Sequence, residues 1–432
     1  MPDFLDLLKN NRNYRATWTG QLVSEIGDHF NNVAVFSLAL ANTRSGLVVT
    51  LIMLSRAVPA ILAGPIAGVA LDRVDRKKIM IASDLVRAAV ALCFIFAIPS
   101  HNTCLLFPLS ALLMFASPFF TSGRSSILPS IASDAELHTA NSLTQTTQWT
   151  TLTIGSFLGG TSVMQFGYKW AFLFNALSFV FSALCISRLR VSRGHFRAQR
   201  AVELTENEVV RPWHEYAEGL RYLRSSPLIM GIVLVAAGWA SGGGAAQILF
   251  SLFGELVFHR GAAGIGFLWA AAGVGLLVGA AFAHRLGKHV SFGGYKRAIS
   301  ICYVIHGGSY VIFSQMPGFG LAMVFLGVSR AAVAVSSVLN MTQLLRHVPD
   351  EYRGRVFATM ETVSWSVMML SMAGAGVASE SFSPRTIGAV SGILSSTTAF
   401  FWLWANLTGR LPEPPVLGVE REEVEVHGDP TV

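Results

Sequence analysis

The feature that most constrains this chain is the recurrence, about twelve times, of a mostly apolar run of roughly 20 residues, the length a helix needs to cross a bilayer. The runs fall near 16–40, 46–70, 79–98, 103–123, 140–164, 170–188, 228–250, 262–284, 298–315, 319–342, 358–380 and 385–408. Inside lipid every backbone N–H and C=O must find its partner within the same segment, so each run is expected to be a helix. Hydrophobic residues make up 52% of the 432 residues and charged residues 13%, against about a quarter in a soluble domain. The expected fold class is an all-α membrane protein with twelve transmembrane helices.

The first run follows Lys9, Arg12 and Arg15 and carries Glu25 and Asp28. It is too long and too polar for the apolar region of a cleaved leader, and it is read as a retained span. Most of the 32 basic residues fall in segments on the side of both termini, which places that side in the cytoplasm. The formal charge of +7 is then accounted for by this asymmetry and by anionic headgroups, and no nucleic-acid partner is implied. Cys93, Cys104, Cys185 and Cys302 form no C-x-x-C pair and read as small apolar residues, so no metal site is expected.

The long polar stretch from Arg188 to Pro227 divides the chain into two sets of about six runs. Residues 1–190 and 228–410 are read as two six-helix bundles, 191–227 as a cytoplasmic linker and 411–432 as a disordered tail rich in Pro and Glu. Within the linker Trp213, Tyr216, Ala217, Leu220 and Leu223 recur at helical spacing, the mark of an amphipathic helix on the membrane or on the cytoplasmic loops. The halves are weakly similar: GVALDRVDRKK after the second run is answered by GAAFAHRLGKH after the eighth. Such repetition suits a carrier that holds its substrate between two related bundles.

GVALDRVDRKK, from Gly68 to Lys78, resembles the signature loop of the major facilitator superfamily, G-x-x-x-D-R-x-G-R-[KR]-[KR]. Gly68, Asp72, Arg73, Arg76, Lys77 and Lys78 match, and Asp75 stands where the family has Gly. Asp tolerates a strained backbone and could cap the next helix. GQLVSEIGDHFNNVAVFSLAL, RSSILPSIASDAELHTANSL, EGLRYLRSSPLI and VPDEYRGRVFATM resemble segments of the efflux branch that includes macrolide exporters, the enterobactin exporter and transmembrane secretion effectors. The resemblance runs from Gly20 to Arg410. It implies the major facilitator fold and alternating access by rocking of two bundles, driven by the proton gradient. It further implies that Asp72 and Arg76 engage the start of span eleven when the cytoplasmic side closes, with Glu361 and Arg124 as partners by position. The other reading is a basic loop that only enforces orientation. Gly155, Gly159 and Gly160 match a glycine-rich segment of the family that lets helices approach closely.

A charge near the bilayer centre costs roughly 3 kcal/mol on insertion scales, so each one is a functional candidate. Asp28, Arg56 and Arg330 fall near mid-depth, with Glu25 one turn closer to the cytoplasm. Asp28 and Glu25 share a helix face and are the candidates for proton coupling, the alternative being a structural Asp28–Arg56 ion pair. Arg56 and Arg330 are the candidate cavity charges; Arg330 either meets an electron-rich substrate group or pairs with a distant carboxylate. Asp84 and Arg87 read as a local salt bridge, and Glu255 and Glu380 as solvated groups at the external face. Gln145, Gln148, Trp149, Trp239, Asn340 and Trp365 are candidate substrate contacts, since amides and aromatic faces suit amphipathic molecules.

The chain has no G-x-x-x-x-G-K-[ST] loop, H-E-x-x-H pair or G-x-S-x-G elbow, so neither ATP-driven pumping nor an enzyme is expected. The expectation is a monomeric secondary transporter without cofactor, exporting a small amphipathic molecule in exchange for protons from the bacterial cytoplasmic membrane. Import of a nutrient or lipid-like solute is the alternative, and a membrane sensor a further one.

Overall fold

The computed structural model describes residues 4–190, 221–287 and 290–414. Most of the linker and the tail from residue 415 lie outside them, so the amphipathic and disordered segments expected there are not described. Among the described residues, a short helix α1 (Phe4–Asn10) precedes twelve long ones. Six form the first half: α2 (Arg12–Thr43), α3 (Gly46–Arg73), α4 (Arg76–Cys93), α5 (Leu106–Ile131), α6 (Asp134–Phe166) and α7 (Tyr168–Ser187). Six form the second: α8 (Pro227–Leu252), α9 (Gly261–Leu286), α10 (Phe292–Gln315), α11 (Phe319–His347), α12 (Asp350–Ala378) and α13 (Pro384–Leu407). No strand occurs among the described residues.

Side-chain caps fix several of the tight connections. Asn11 accepts from the Tyr14 N–H at 2.9 Å and Ser45 from the Val48 N–H at 3.3 Å, satisfying first-turn donors of α2 and α3. Asp75, the departure from the signature pattern, accepts from the Lys78 N–H at 3.2 Å and caps α4. A capping box of Ser133 and Glu136 opens α6.

The two halves are assembled by the same pairing. In the first, α2 packs on α6 and α7, α4 on α5 and α7, and α3 on α5. In the second, α8 packs on α12 and α13, α10 on α11 and α13, and α9 on α11. Each contact in one half has its counterpart in the other. The contacts between halves obey the same relation, α6 against α9 and α3 against α12.

These inter-half contacts concentrate at the face remote from the chain ends, and they are made by residues without bulk. A side chain on Gly376 of α12 would stand 2.3 Å from Thr50 Oγ1 of α3, and one on Gly160 of α6 would stand 2.6 Å from the Ala262 carbonyl oxygen of α9. Between helices in lipid, where apolar burial gives no net drive, such close backbone approach is the main source of attraction. The opposite face carries both ends of the described chain, Phe4 and Pro414, and the cations Arg12, Arg73, Lys77, Lys78, Arg285, Lys296, Arg346 and Arg410, and is called the basic face below.

Among the described residues, nine helical stretches are long and apolar enough to cross a membrane by length and composition. Of the twelve expected spans, α2, α6 and α10 fall short by this measure. Their sequences carry Glu25, Asp28 and His29; a run of Thr and Gln; and Lys296, Arg297 and His306. Outward-facing side chains are large and apolar, among them Phe96, Leu370, Phe400 and Leu407, each two-thirds exposed or more. A surface of that kind is solvated by lipid, and the protein is a membrane protein.

Residues 221–225 are helical. Leu223 is buried in the second half's core, and Tyr222 stacks on Tyr352 with ring centroids 4.5 Å apart. The end of the linker is thus anchored to the second half.

Replacing Gly160 by Leu overpacks the α6–α9 contact and is expected to cost about 1–3 kcal/mol. Thermal unfolding in detergent should show a lowered midpoint for Gly160→Leu. Gly64→Ala, whose new methyl meets nothing within 4 Å, should leave the midpoint within error of the parent.

Candidate functional site

Between the halves lies a cavity of about 750 Å³. On α2, His29, Asn32, Val33 and Phe36 face it at the i, i+3, i+4, i+7 spacing of one helical stripe. Arg56 and Ala57 enter from α3, Gln247 from α8, Trp269 from α9, and Glu361 and Trp365 from α12. Five methionines, Met53, Met114, Met368, Met369 and Met372, complete much of the wall and give it an adaptable apolar lining.

At the remote face the cavity is closed. Beyond the glycine contacts, Ser45 of α3 donates to Glu380 at 2.7 Å and Ser37 of α2 donates to Glu255 at 3.4 Å. Glu255 sits in a single π-helical turn, Phe253–Val257, at the end of α8, and the Ser37 hydroxyl also lies 3.2 Å from the Tyr168 hydroxyl. The two glutamates expected to be merely solvated therefore tie the halves together. Towards the basic face Glu361, Thr362 and Trp365 are exposed on the cavity wall and Asp72 and Arg73 are exposed at the end of α3, so the cavity opens there.

The charged residues separate into three environments. Arg56 donates to Asn32 Oδ1 at 2.8 Å, approaches Met114 Sδ at 3.9 Å and lies 5.6 Å from the Phe36 ring centroid. No Asp28–Arg56 ion pair forms. Among the described residues the ion pairs within 4 Å are Arg87–Asp84 and Arg124–Glu25. Asp28 turns away from the cavity stripe, one residue and about 100° from His29. It lies in the field of Arg87 as well as of Arg56, with Asp84 beyond. Asp84 and Arg87 are paired as the sequence indicates but are fully enclosed, the guanidinium lying 4.7 and 4.3 Å from the ring centroids of Phe120 and Phe179.

Glu25 is held from three helices. It accepts from Gln21 Nε2 at 2.7 Å and Thr151 Oγ1 at 2.9 Å, and pairs with Arg124 at 3.5 Å. Arg124, expected near the signature loop's gate, is thus engaged by Glu25 in this conformation. Arg76 donates to the Ser126 carbonyl at 2.8 Å, joining α4 to α5 within its own half. Gly68 is half-buried with open space around it.

Other candidates stand off the cavity. Arg330 is buried in the second half, 5.2 Å from the Phe250 ring centroid and 5.8 Å from that of Tyr310, with no carboxylate among the described residues within ion-pairing distance. Aromatic faces, not a substrate or a distant acid, attend its charge. Asn340 is buried, accepting from the Tyr295 hydroxyl at 2.8 Å. Trp239 packs on the second half's core. Gln148 is exposed and Trp149 half-buried, both outside the cavity wall. The side chain of Gln145 lies outside the described residues. His29, Asn32, Gln247 and Trp269 were missed by the sequence reading, although the α2 stripe was discernible from helical spacing.

A sequence profile of the Major Facilitator Superfamily matches residues 17–366. The uncharacterized MFS-type transporter YfiS of Bacillus subtilis strain 168 is 28% identical over 87% of this chain and 88% of its own length. Macrolide efflux protein A of Streptococcus pyogenes is 24% identical over 83% and 86%, and the enterobactin exporter EntS of Citrobacter koseri 25% identical over 82% of each. The crystal structure of a bacterial homologue of the iron transporter ferroportin, in an inward-facing state, superposes with a TM-score of 0.67 over 90% of this chain and 98% of its own, at 15% identity.

The Glu25–Arg124 pair is partly enclosed and hydrogen-bonded, so its two charges should be energetically coupled by about 1–3 kcal/mol. In a thermal-unfolding cycle, Glu25→Gln and Arg124→Gln should each lower the midpoint, and the double variant should lose less than the two losses added. Additive losses would show the pair to be independent.

Proposed function

The chain belongs to the Major Facilitator Superfamily, and from that premise we propose that it is a secondary active transporter that expels small amphipathic molecules across the cell membrane in exchange for protons. The observation that carries the reading is a cavity walled by both halves, closed at the remote face and open at the basic one. With the basic face in the cytoplasm, as the positive-inside asymmetry directs, the described conformation faces inward and is ready to load from the cytoplasm. The efflux activities named for the Streptococcus and Citrobacter relatives support the direction of transport.

Loading brings the guest against Arg56, Trp365 and the methionine wall. Reversal requires the Ser45–Glu380 and Ser37–Glu255 hydrogen bonds to part while the basic face closes. Asp72 is exposed in this conformation. In the closed one it meets the N-terminal end of α12, where the helix dipole favours an anion. By its distance along α3, Gly68 leaves room for that approach, and Arg73 and Arg76 flank it. Glu361 stands deeper: with Thr50 level with Gly376 in antiparallel helices, it is level with residue 65, about 10 Å from Asp72 along the axis.

Asp28 takes the role of proton carrier, set among Arg56, Arg87 and Asp84 behind the cavity wall. A carboxyl there can exchange its proton for a change in the wall's charge balance as the halves move. Glu25, whose oxygens are already committed to three partners, holds α2 to α5 and α6 and takes the secondary role.

In everted vesicles carrying a pH gradient, erythromycin, a catecholate siderophore, lipophilic cations and a zwitterionic tripeptide would be added in turn. At least one should collapse the gradient with the parent protein and not with Asp28→Asn. Asp72→Asn should bind the same compound yet cycle at least 10-fold more slowly. Collapse of equal size with Asp28→Asn, or movement of the compound in the importing direction, would contradict the reading.

A further inference from the structure

We propose that the cavity selects amphipathic zwitterions, molecules that carry an anionic and a cationic end on either side of an apolar body, the anion seated at Arg56 and the cation at Glu361. The inference rests on the export reading for the use of this cavity, and deepens it by naming the chemical class that fits.

The cavity wall holds one cation and one anion contributed by opposite halves, and the two do not meet. Arg56 has its hydrogen bond to the Asn32 amide and its place near the Phe36 ring, with no carboxylate among the described residues within 4 Å. Asp28, the acid whose field reaches it, lies behind the wall. A guanidinium has five donors, and Asn32 engages one of them. Glu361, on α12, is exposed on the wall and has neither a hydrogen bond nor a cation within 4 Å among the described residues.

Helix register sets the axial part of their separation. Taking Thr50 and Gly376 as the contact level, Arg56 is six residues down α3 and Glu361 fifteen residues down α12. The offset of nine residues is about 13 Å along the axes. A salt bridge at each end takes up about 2.7–2.9 Å, leaving along the axis roughly the length of two or three residues of extended peptide at about 3.3–3.6 Å each. An α-amino acid, with its charges on one carbon, is too short to span it.

The wall between the charges is mostly apolar, with Thr362 and Ser366 of α12 its polar members there. Ala57, Ala60 and Ile61 follow Arg56 along α3, and Trp365 and Met369 follow Glu361 along α12. A guest of the proposed shape lays its apolar body there and brings a counter-ion to each end. A guest with one charge displaces water from the other wall charge without replacing it by a partner, and an uncharged guest does so at both. Discrimination by unpaired charge is the stronger kind, since apolar packing alone separates analogues only weakly.

The test is equilibrium binding to the full-length protein in nanodiscs with no gradient imposed, read by calorimetry. The probes are the tripeptide Leu-Phe-Leu, its N-acetyl form, which lacks the cation, and its C-terminal amide, which lacks the anion. The free tripeptide should bind at least 10-fold more tightly than either derivative. With Glu361→Gln the penalty for acetylation should vanish while that for amidation remains. With Arg56→Gln the reverse should hold. Because each variant keeps one discrimination, a misfolded protein cannot imitate the pattern. Equal affinity for the three probes, no binding of any of them up to 10 mM, or loss of both discriminations in both variants would overturn the proposal. Loss of proton-linked flux with the binding pattern intact would instead overturn the export reading and leave this one standing.

Discussion

The structure depends on close approach between small residues at the face remote from the chain ends. Helices in lipid gain nothing from burying apolar side chains against one another, so contact between the halves comes from short-range packing and hydrogen bonds. Gly160 against Ala262, Gly376 against Thr50 and Ser45 with Glu380 supply both. Such an interface has a definite closed geometry and no deep interlocking of large side chains, which makes it able to separate. Closing one face by this means leaves the other splayed, and the cavity is the volume that results.

Charges inside the protein are accommodated in ways that divide structure from function. Asp84 with Arg87, Glu25 with Arg124, and Arg330 between aromatic rings are enclosed and attended within one half. They hold helices together, and each would be costly to disturb. Arg56 and Glu361 differ because they face the space that the two halves share. Asp28 stands between the classes, behind the wall yet within reach of its electric field. That position is what a group passing information between cavity and bundle requires.

Most of the helical layout was legible in the sequence because lipid imposes a length and a composition that few other folds satisfy. Even the polar helices α2, α6 and α10 were locatable, since their neighbours left them no other role. Asp75 as a cap could also be read, because local chemistry admits few alternatives there, and the family resemblance marked Gly155, Gly159 and Gly160 as points of close approach. Counting residues from a span's end gives depth but not direction around the helix. Hence Arg330, at the expected depth, turned out to face Phe250 and Tyr310 and not the cavity, and His29 was passed over for its neighbour Asp28. Glu255 and Glu380 were undervalued for a related reason. Their partners lie in the other half, more than 200 positions away in sequence, and a π-turn aims one of them. Nothing local announces such a contact.

The central claim is that the two faces open and close reciprocally around one cavity. Its most direct test is a pair of spin-label distances in a protein freed of Cys93, Cys104, Cys185 and Cys302, one between the exposed positions 74 and 354 across the basic face and one between the exposed positions 41 and 382 across the remote face. Measured in nanodiscs at pH 5 and pH 8.5, the account predicts two populations whose distances change in opposite senses, the basic face shortening as the remote face lengthens. Distances that stay fixed, or that lengthen and shorten together at both faces, would contradict it.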